Sequence, residues 1–338
     1  MVAVIVIATT VSTSFAAVTL TRVTPAAVRP GQTVKLSCRG SDLADARTLW
    51  TSFPSQVERI PGSGDQSGQV IFAVTLSKEV RLGLGAIRVV TARGISNLRP
   101  VVIDDLPDPG KRSTGLLPLF SATDGTAVAG KPNRYRVRLT AGQRLTVDLW
   151  ARRLGSQLDP VVRVTDAGGK TMVAVDDSPG LSGDVRLSFE VPHPGDHVIT
   201  VRDVRGRGGD GYFFRLRLGT FGSFAGTWPL VIRRGTSVDA RLLGRSRQDI
   251  TRTLAIPADH RQPAWWFGVS TDEARGSALV AVRVTRQQQV IETEPNDKPA
   301  QATAVPADAG VNGRLERPGD RDWYRVPVRS GQRLRIVG

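Results

Sequence analysis

The sequence contains little cysteine and little histidine. Its single cysteine, Cys38, rules out a disulfide within the chain. The three histidines, at positions 193, 197 and 260, are not accompanied by a Gly-x-Ser-x-Gly elbow or another nucleophile motif. His193 and His197 flank a Pro-Gly turn in an ordinary surface setting, not a metal-binding helix. Neither a catalytic triad nor a paired Cys/His zinc site is indicated, and we predict that the chain is not an enzyme.

Lysine is also scarce, so that the net charge of +15 comes mostly from arginine. The arginines alternate with apolar residues, as in Tyr135–Leu139 and Phe214–Leu218. A period of two predicts half-buried strands with these arginines on the solvent face. No basic run or nucleic-acid motif accompanies the charge, so we expect no specific nucleic-acid partner. Weak, salt-sensitive attraction to anionic polymers stays open as a minor hypothesis.

Sustained helical periodicity is missing, and short alternating runs such as Val185–Val191 occur instead, with 35 glycines and 21 prolines between them. This pattern predicts an all-β fold of tandem antiparallel β-sandwiches. Cys38 has the parity of the apolar Val34 and Leu36 and should point into a core. The run Trp265–Phe267 is predicted to supply core aromatics, with an exposed sugar or protein contact as the alternative. We expect a turn at Asp196 and a hairpin tip at 203–211, where Gly206, Gly208 and Gly211 match a dinucleotide fingerprint by letters alone.

Residues 1–17 form an apolar run that ends in the small-x-small pattern Ser14-Phe15-Ala16. The run is too short to span a bilayer and predicts a signal peptide, although a first buried strand is the alternative. No lysine or arginine precedes it, which leaves the true start of the protein open. An exported chain without disulfides fits a secreted or cell-surface bacterial protein.

Two internal repeats divide the rest of the chain. Val28–Gly40 matches Ile232–Gly244, and Gly130–Leu145 matches Gly319–Leu334 without a gap. The predicted order is therefore A-B-A′-B′, with domains at 18–106, 107–220, 221–290 and 291–338. We expect the last domain to be incomplete and its apolar residues to be less buried than their counterparts in the first copy. The expected exposed set is Tyr324, Val326, Leu334 and Ile336, and its counterparts are Tyr135, Val137, Leu145 and Val147.

The A units resemble immunoglobulin-like domains of the IPT/TIG kind, through the opening Val23-Thr-Pro25 to Gly31-Gln-Thr-Val34. The B units resemble the bacterial pre-peptidase C-terminal domain, a β-sandwich. In the second copy this resemblance rests on Glu294-Pro-Asn-Asp297, Gly313, Pro318-Gly-Asp320-Arg-Asp322-Trp-Tyr324 and Gly331-Gln-Arg-Leu334. The first copy keeps Leu158-Asp-Pro160, Val164-Thr-Asp166, Asp176-Asp177 and Gly195-Asp-His-Val198.

An acidic group opens the second B unit. Glu292, Glu294 and Asn296 would face the same way in an extended chain and offer the oxygen ligands that calcium takes. Collagen-binding members of the family bind calcium through an acidic linker and a matching aspartate motif. This resemblance implies a Ca²⁺ ligand set of Glu292, Glu294, Asn296, Asp297, Asp320 and Asp322. The alternative is a solvated acidic linker beside a turn.

The first B unit carries Lys131 and Asn133 where the second has Asp320 and Asp322. A lysine ammonium repels a cation, so we predict a calcium site in the second copy alone. As a whole the chain is interpreted as a non-catalytic extracellular region for binding, adhesion or spacing, a monomeric array without a transmembrane segment. Its expected ligand is an extracellular protein or a polysaccharide. The alternative function is an accessory region of a secreted peptidase whose catalytic domain lies elsewhere.

Overall fold

The computed structural model describes residues 17–63, 68–110, 115–244, 250–270 and 276–337. Strands dominate these residues, and the helical elements among them are two three-residue 3-10 turns, Arg152–Leu154 and Pro299–Gln301. The predicted all-β fold is confirmed. The predicted signal peptide, apart from Ala17, falls outside the described residues. None of the helices described has the length and the apolar character needed to cross a membrane.

The chain divides into two compact units, one formed by residues 1–80 and 85–101 and the other by residues 81–84 and 102–338. The N-terminal strands are β1 (Thr19–Thr24), β2 (Ala27–Val28), β3 (Thr33–Ser41), β4 (Ala46–Thr51), β5 (Gln56–Arg59), β6 (Gln69–Thr75), β7 (Gly83–Thr91), β8 (Gly94–Ile95) and β9 (Arg99–Ile103). They form two sheets, β1-β3-β6-β5 and β2-β9-β7-β4, with β8 paired to β7.

Alternate side chains of β3, β6 and β7 fill the core of this first sandwich, as a half-buried sheet requires. Cys38 on β3 is fully buried between Leu36 and its cross-strand partner Val70. Burial raises the pKa of its thiol to about 12. The predicted inward orientation of Cys38 is confirmed, and the thiol is a packing group.

The second sandwich contains β10 (Ser121–Thr126), β11 (Asn133–Leu139), β12 (Arg144–Trp150), β13 (Pro160–Thr165), β14 (Thr171–Val175), β15 (Val185–Glu190), β16 (Gly195–Asp203) and β17 (Phe213–Gly219). Its sheets have the orders β10-β17-β12-β15 and β11-β16-β13-β14. Leu145, Val147 and Leu149 of β12 meet Leu216 and Leu218 of β17 in one core.

Two predicted turns in this sandwich are wrong. Residues 204–212 are not a hairpin, because β16 and β17 belong to different sheets and the segment crosses from one to the other. It lies on the backbone of residues 127–130, and a Cβ at Gly208 would overlap that backbone. Asp196 lies inside β16, and so does His197, whose side chain is buried and not on the surface.

The third sandwich contains β18 (Phe224–Trp228), β19 (Val231–Arg233), β20 (Ser237–Gly244), β21 (Ile250–Ala255), β22 (Ala264–Val269), β23 (Ala278–Thr285) and β24 (Gln288–Ile291). Its sheets are β18-β20-β21 and β19-β23-β22. Trp265 and Phe267 on β22 are buried in the core, as predicted. Trp266 faces the other way and packs against the Trp150 ring at a centroid distance of 5.3 Å.

The C-terminal segment is sparse in strands. Its strands are β25 (Thr303–Ala304), β26 (Ala309–Asn312) and β27 (Tyr324–Arg325). β26 pairs in parallel with the preceding β24, and β25 pairs in parallel with β27. Ile336 is 84% exposed and Leu334 44%, whereas Leu145 and Val147 of the first copy are fully buried. Tyr324 is likewise exposed and Val326 half-buried. The predicted contrast in burial between the two sets is confirmed.

Candidate functional site

Three of the predicted acidic ligands come together at the start of the C-terminal segment. Glu292 follows β24 directly, and its backbone N–H donates to the carbonyl of Asn312 at the end of β26. Asp322 lies two positions before the start of β27. Glu292, Glu294 and Asp322 each place a carboxylate oxygen within 4.8 Å of the others. We refer to these three residues as the acidic triad.

The acidic triad concentrates negative charge. Partial desolvation and the neighbouring carboxylates raise the pKa of Glu294 and of Asp322. The Tyr324 hydroxyl lies 2.7 Å from a Glu292 oxygen, to which it donates, and 3.3 Å from an Asp322 oxygen. Partial burial and these two carboxylates raise the pKa of Tyr324 as well. A cation among the three carboxylates would relieve this repulsion.

Among the residues that the structure describes, Asn296 and Asp322 carry buried polar side-chain atoms that lack a hydrogen-bond partner. Asn296 is fully buried, and its side-chain oxygen and nitrogen have no hydrogen-bond partner in the described part of the chain. One buried carboxylate oxygen of Asp322 is also without a partner. Buried polar atoms left unpaired are costly, and calcium binds carboxylate and amide oxygens of this kind.

The other two predicted ligands have different partners. Asp297 forms an ion pair with Arg317 at 3.1 Å. Asp320 accepts a hydrogen bond from the backbone N–H of Glu316 and lies 3.9 Å from the Arg317 guanidinium. That backbone hydrogen bond, with Arg317 nearby, lowers the pKa of Asp320. Asp297 and Asp320 therefore flank the triad beside an arginine.

Tyr324 was not among the predicted site residues, although the sequence held a signal for it. It stands two positions after Asp322, and in an extended chain such residues face the same way. In the first copy, Lys131 is exposed and Asn133 opens β11 with its amide donating to the Thr126 carbonyl. The described part of residues 107–220 contains no comparable group of acidic side chains.

A second feature corrects the prediction that the alternating arginines face solvent. Arg136 and Arg138 on β11 are exposed and share Asp196, as that prediction requires. Arg215 and Arg217 on β17, however, are 3% and 0% exposed. They belong to a buried ionic face on the outer side of sheet β10-β17-β12-β15. This face consists of Asp104, Asp148, Arg153, Asp184, Arg186, Arg215 and Arg217.

Asp148 lies at the centre of the buried ionic face. Strand register puts it directly between Arg217 on one neighbouring strand and Arg186 on the other. One of its oxygens is 3.1 Å from each of these guanidiniums, and the other is 3.3 Å from Arg153. The same oxygen that meets Arg217 accepts from the Trp150 indole N–H. Asp104 likewise pairs with both Arg217 and Arg215.

The third sandwich covers this face. Arg217 donates to the carbonyl of Ser277 at 2.7 Å, and Arg186 donates to those of Phe224 and Leu279 at 2.9 and 3.0 Å. Alternation indicates which side of a strand is polar, but not whether another domain covers that side. Arg186 and Arg217 are covered in this way because their donors meet carbonyls at the beginning of β18 and of β23.

Charge pairing sets the protonation state of the central carboxylate. Burial alone would raise the pKa of Asp148, but Arg186, Arg153 and Arg217 more than offset it and hold that pKa well below its ordinary value. Asp148 is therefore ionised in the folded protein. The buried ionic face is a contact between the second and third sandwiches.

Comparison with known proteins yields structural likeness alone. No family model and no curated protein matches the chain. The pre-peptidase C-terminal domain of a Bacillus anthracis collagenase aligns with 31% of this chain and 92% of its own, at 10% identity and a TM-score of 0.25. The Aeromonas hydrophila lysozyme inhibitor PliG aligns with 29% of this chain and 82% of its own, at 21% identity and a TM-score of 0.23. The surface protein SGBP-B from a Bacteroides uniformis xyloglucan utilization locus aligns with 60% and 72%, at 9% identity and a TM-score of 0.22.

Proposed function

We propose that this chain is a non-catalytic binding region of a secreted bacterial protein, in which calcium binds to the acidic triad. The observation that carries the proposal is the convergence of Glu292, Glu294 and Asp322, from two separate segments, beside the unpaired side chain of Asn296. The family resemblances to pre-peptidase C-terminal and IPT/TIG domains are part of the same proposal, with boundaries at 18–106, 107–220, 221–290 and 291–338.

The binding role is supported by how the chain is built. The buried ionic face ties the second and third sandwiches together through several buried hydrogen bonds, which suits a protein that presents surfaces at a fixed spacing. Calcium at the acidic triad would likewise hold two parts of the chain together, nearer the C-terminus. Its ligands lie at the end of β24 and beside β27, so that one ion would join the third sandwich to the C-terminal segment. The expected partner is an extracellular protein or polysaccharide.

Terbium luminescence tests the metal site, because Tb³⁺ replaces calcium and emits when a nearby aromatic ring transfers energy to it. Tyr324 touches two members of the acidic triad, so we expect sensitised emission that added calcium quenches. Asp322→Asn should abolish the emission. The matched control is Asp176→Asn, an exposed acidic residue in the first copy, which should leave it unchanged. Emission that survives Asp322→Asn would place the ion elsewhere.

The purified chain is expected to hydrolyse neither casein, gelatin nor an ester substrate. General acid–base catalysis needs a positioned group next to a nucleophile. The ring nitrogens of His197 and His260 instead face the backbone carbonyls of Gly195 and Ala264. Substrate turnover that a single point mutation abolishes would contradict the non-catalytic assignment.

A further inference from the structure

The outer side of sheet β11-β16-β13-β14 in the second sandwich is exposed and strongly basic. Strand alternation turns Val137, Val162 and Val201 into the core, so that the residues next to them face outward. These outward positions hold arginines on three adjacent strands, and every one of these arginines is exposed. We refer to the following residues as the basic face: Arg134, Arg136, Arg138, Arg163 and Arg202.

Strand register gathers three of these arginines around Thr200. Thr200 on β16 lies directly between Arg134 of β11 and Arg163 of β13. Arg202 follows two positions later on β16 and therefore faces the same side of the sheet. Neighbouring strands are about 4.8 Å apart, and alternate residues of one strand are about 7 Å apart. One extended ligand can therefore reach all three guanidinium groups.

Carboxylates offset little of the charge on the basic face. Within the four described strands of this sheet, Asp196 is the acidic residue on the outer side, and it lies 2.7 Å from both Arg136 and Arg138. Arg134 and Arg163 form no ion pair among the residues that the structure describes. The basic face therefore keeps a net positive charge, which attracts an anionic partner.

The composition of the basic face favours an acidic polysaccharide over a nucleic acid. Single-stranded nucleic acids are held by aromatic side chains on which the bases stack, but Tyr135, the aromatic residue of β11, packs against the core. Four strands are about 14 Å across, which is wider than the DNA major groove of about 12 Å. Guanidinium groups, by contrast, match the geometry of carboxylates and pair with them through two parallel hydrogen bonds.

We propose that the basic face binds an extended acidic polysaccharide, with its carboxylates paired to Arg134, Arg163 and Arg202. The inference rests on the proposed binding role and names a ligand class for it, but it does not involve calcium. All three arginines are exposed, so water and salt screen each contact, and affinity comes from several contacts along one polymer. Binding should therefore weaken steeply as salt is added.

Biolayer interferometry of the intact chain on immobilised polygalacturonate tests the proposal, at about 0.1 M salt and with a chelator present throughout. The wild type is expected to bind. Arg134→Gln combined with Arg163→Gln should weaken binding roughly tenfold or more, because two charge-assisted hydrogen-bonding groups are lost. The matched control, Arg252→Gln combined with Arg286→Gln, removes the same charge from exposed positions of the third sandwich and should bind like the wild type.

Asp196→Asn should change the affinity in the opposite direction. This substitution releases Arg136 and Arg138 from their shared carboxylate and adds one positive charge to the basic face. Binding to polygalacturonate should therefore become roughly threefold tighter or more. A misfolded variant would lose affinity, so a gain distinguishes direct charge attraction from damage to the fold.

Several outcomes would overturn the proposal. These are no binding by the wild type, equal weakening in the two double variants, unchanged or weaker binding by Asp196→Asn, or tighter binding to DNA or to anionic lipid vesicles than to polygalacturonate at the same salt. Equally strong binding to neutral dextran would also contradict it. Because calcium is removed, failure of the acidic triad to bind metal leaves this result unaffected, and failure here leaves the calcium site untouched.

Discussion

Replacement of Asp148 by asparagine is expected to lower the free energy of unfolding by about 3–5 kcal/mol, the usual cost of breaking a buried ion pair from one side. The carboxylate meets Arg153, Arg186 and Arg217, and all four side chains are buried. Asparagine keeps the shape but leaves three guanidiniums without their shared anion. Urea unfolding followed by tryptophan fluorescence measures the change, since Trp150 donates to Asp148 directly.

Asp196→Asn is the matched control for this prediction. Asp196 also bridges two arginines, Arg136 and Arg138, but those arginines are exposed. Exposed ion pairs contribute little to stability because water and salt screen them. The control should therefore unfold almost like the wild type. Equal losses in the two variants would contradict the special role of the buried ionic face.

The stability of the folded chain should fall at low pH because Asp148 becomes protonated. The pKa of Asp148 is depressed in the folded state, so its contribution to stability is present above the unfolded value of about 4 and is lost as the pH falls below it. The wild type should lose stability between about pH 5 and pH 2, and Asp148→Asn should lose less over that interval. Parallel pH profiles of the two proteins would contradict the depressed pKa.

Calcium is expected to stabilise the chain by about 1.4–2.7 kcal/mol at roughly 10 mM, for dissociation constants of about 10⁻⁴–10⁻³ M that are typical of extracellular calcium modules. Only the folded chain brings Glu292, Glu294 and Asp322 within 4.8 Å, so binding favours folding by mass action. Glu294→Gln should remove this stabilisation by calcium. Urea unfolding in the presence of calcium and in the presence of a chelator measures it in both proteins.

Asp176→Asn again supplies the control, because the first copy carries Lys131 and Asn133 in place of the two aspartates and should not respond to calcium. The variant is therefore expected to gain as much stability from calcium as the wild type does. A calcium response that persists in Glu294→Gln, or disappears in Asp176→Asn, would count against the acidic triad as the site.

Local periodicity was sufficient to predict the strands and their inner faces. Cys38 follows the parity of Leu36 into a core, and Trp265 and Phe267 fill another. The same parity placed Arg215 and Arg217 on the correct side of β17, but Arg217 is covered by a carbonyl of the third sandwich 60 residues further along. A pattern within one strand carries no information about such a distant surface.

In the candidate metal site, too, local spacing was predictable from the sequence, whereas contacts between distant segments were not. The spacing of Glu292 and Glu294 implied that they face one way, and the family resemblance implied Asp322, which the structure brings close to both from a separate segment. The ion pair between Asp297 and Arg317 joins residues 20 positions apart, and the sequence around either residue does not predict it. The turn chemistry of 203–211 was likewise compatible with a hairpin and with a crossover, and sheet assignment alone separates the two.

Calorimetric titration of the purified chain with calcium tests the central claim most directly. One calcium per chain is predicted, with binding lost in Asp322→Asn and retained in Asp176→Asn. No heat of binding in the wild type, or one equivalent bound by Asp322→Asn, would contradict a calcium site at Glu292, Glu294 and Asp322.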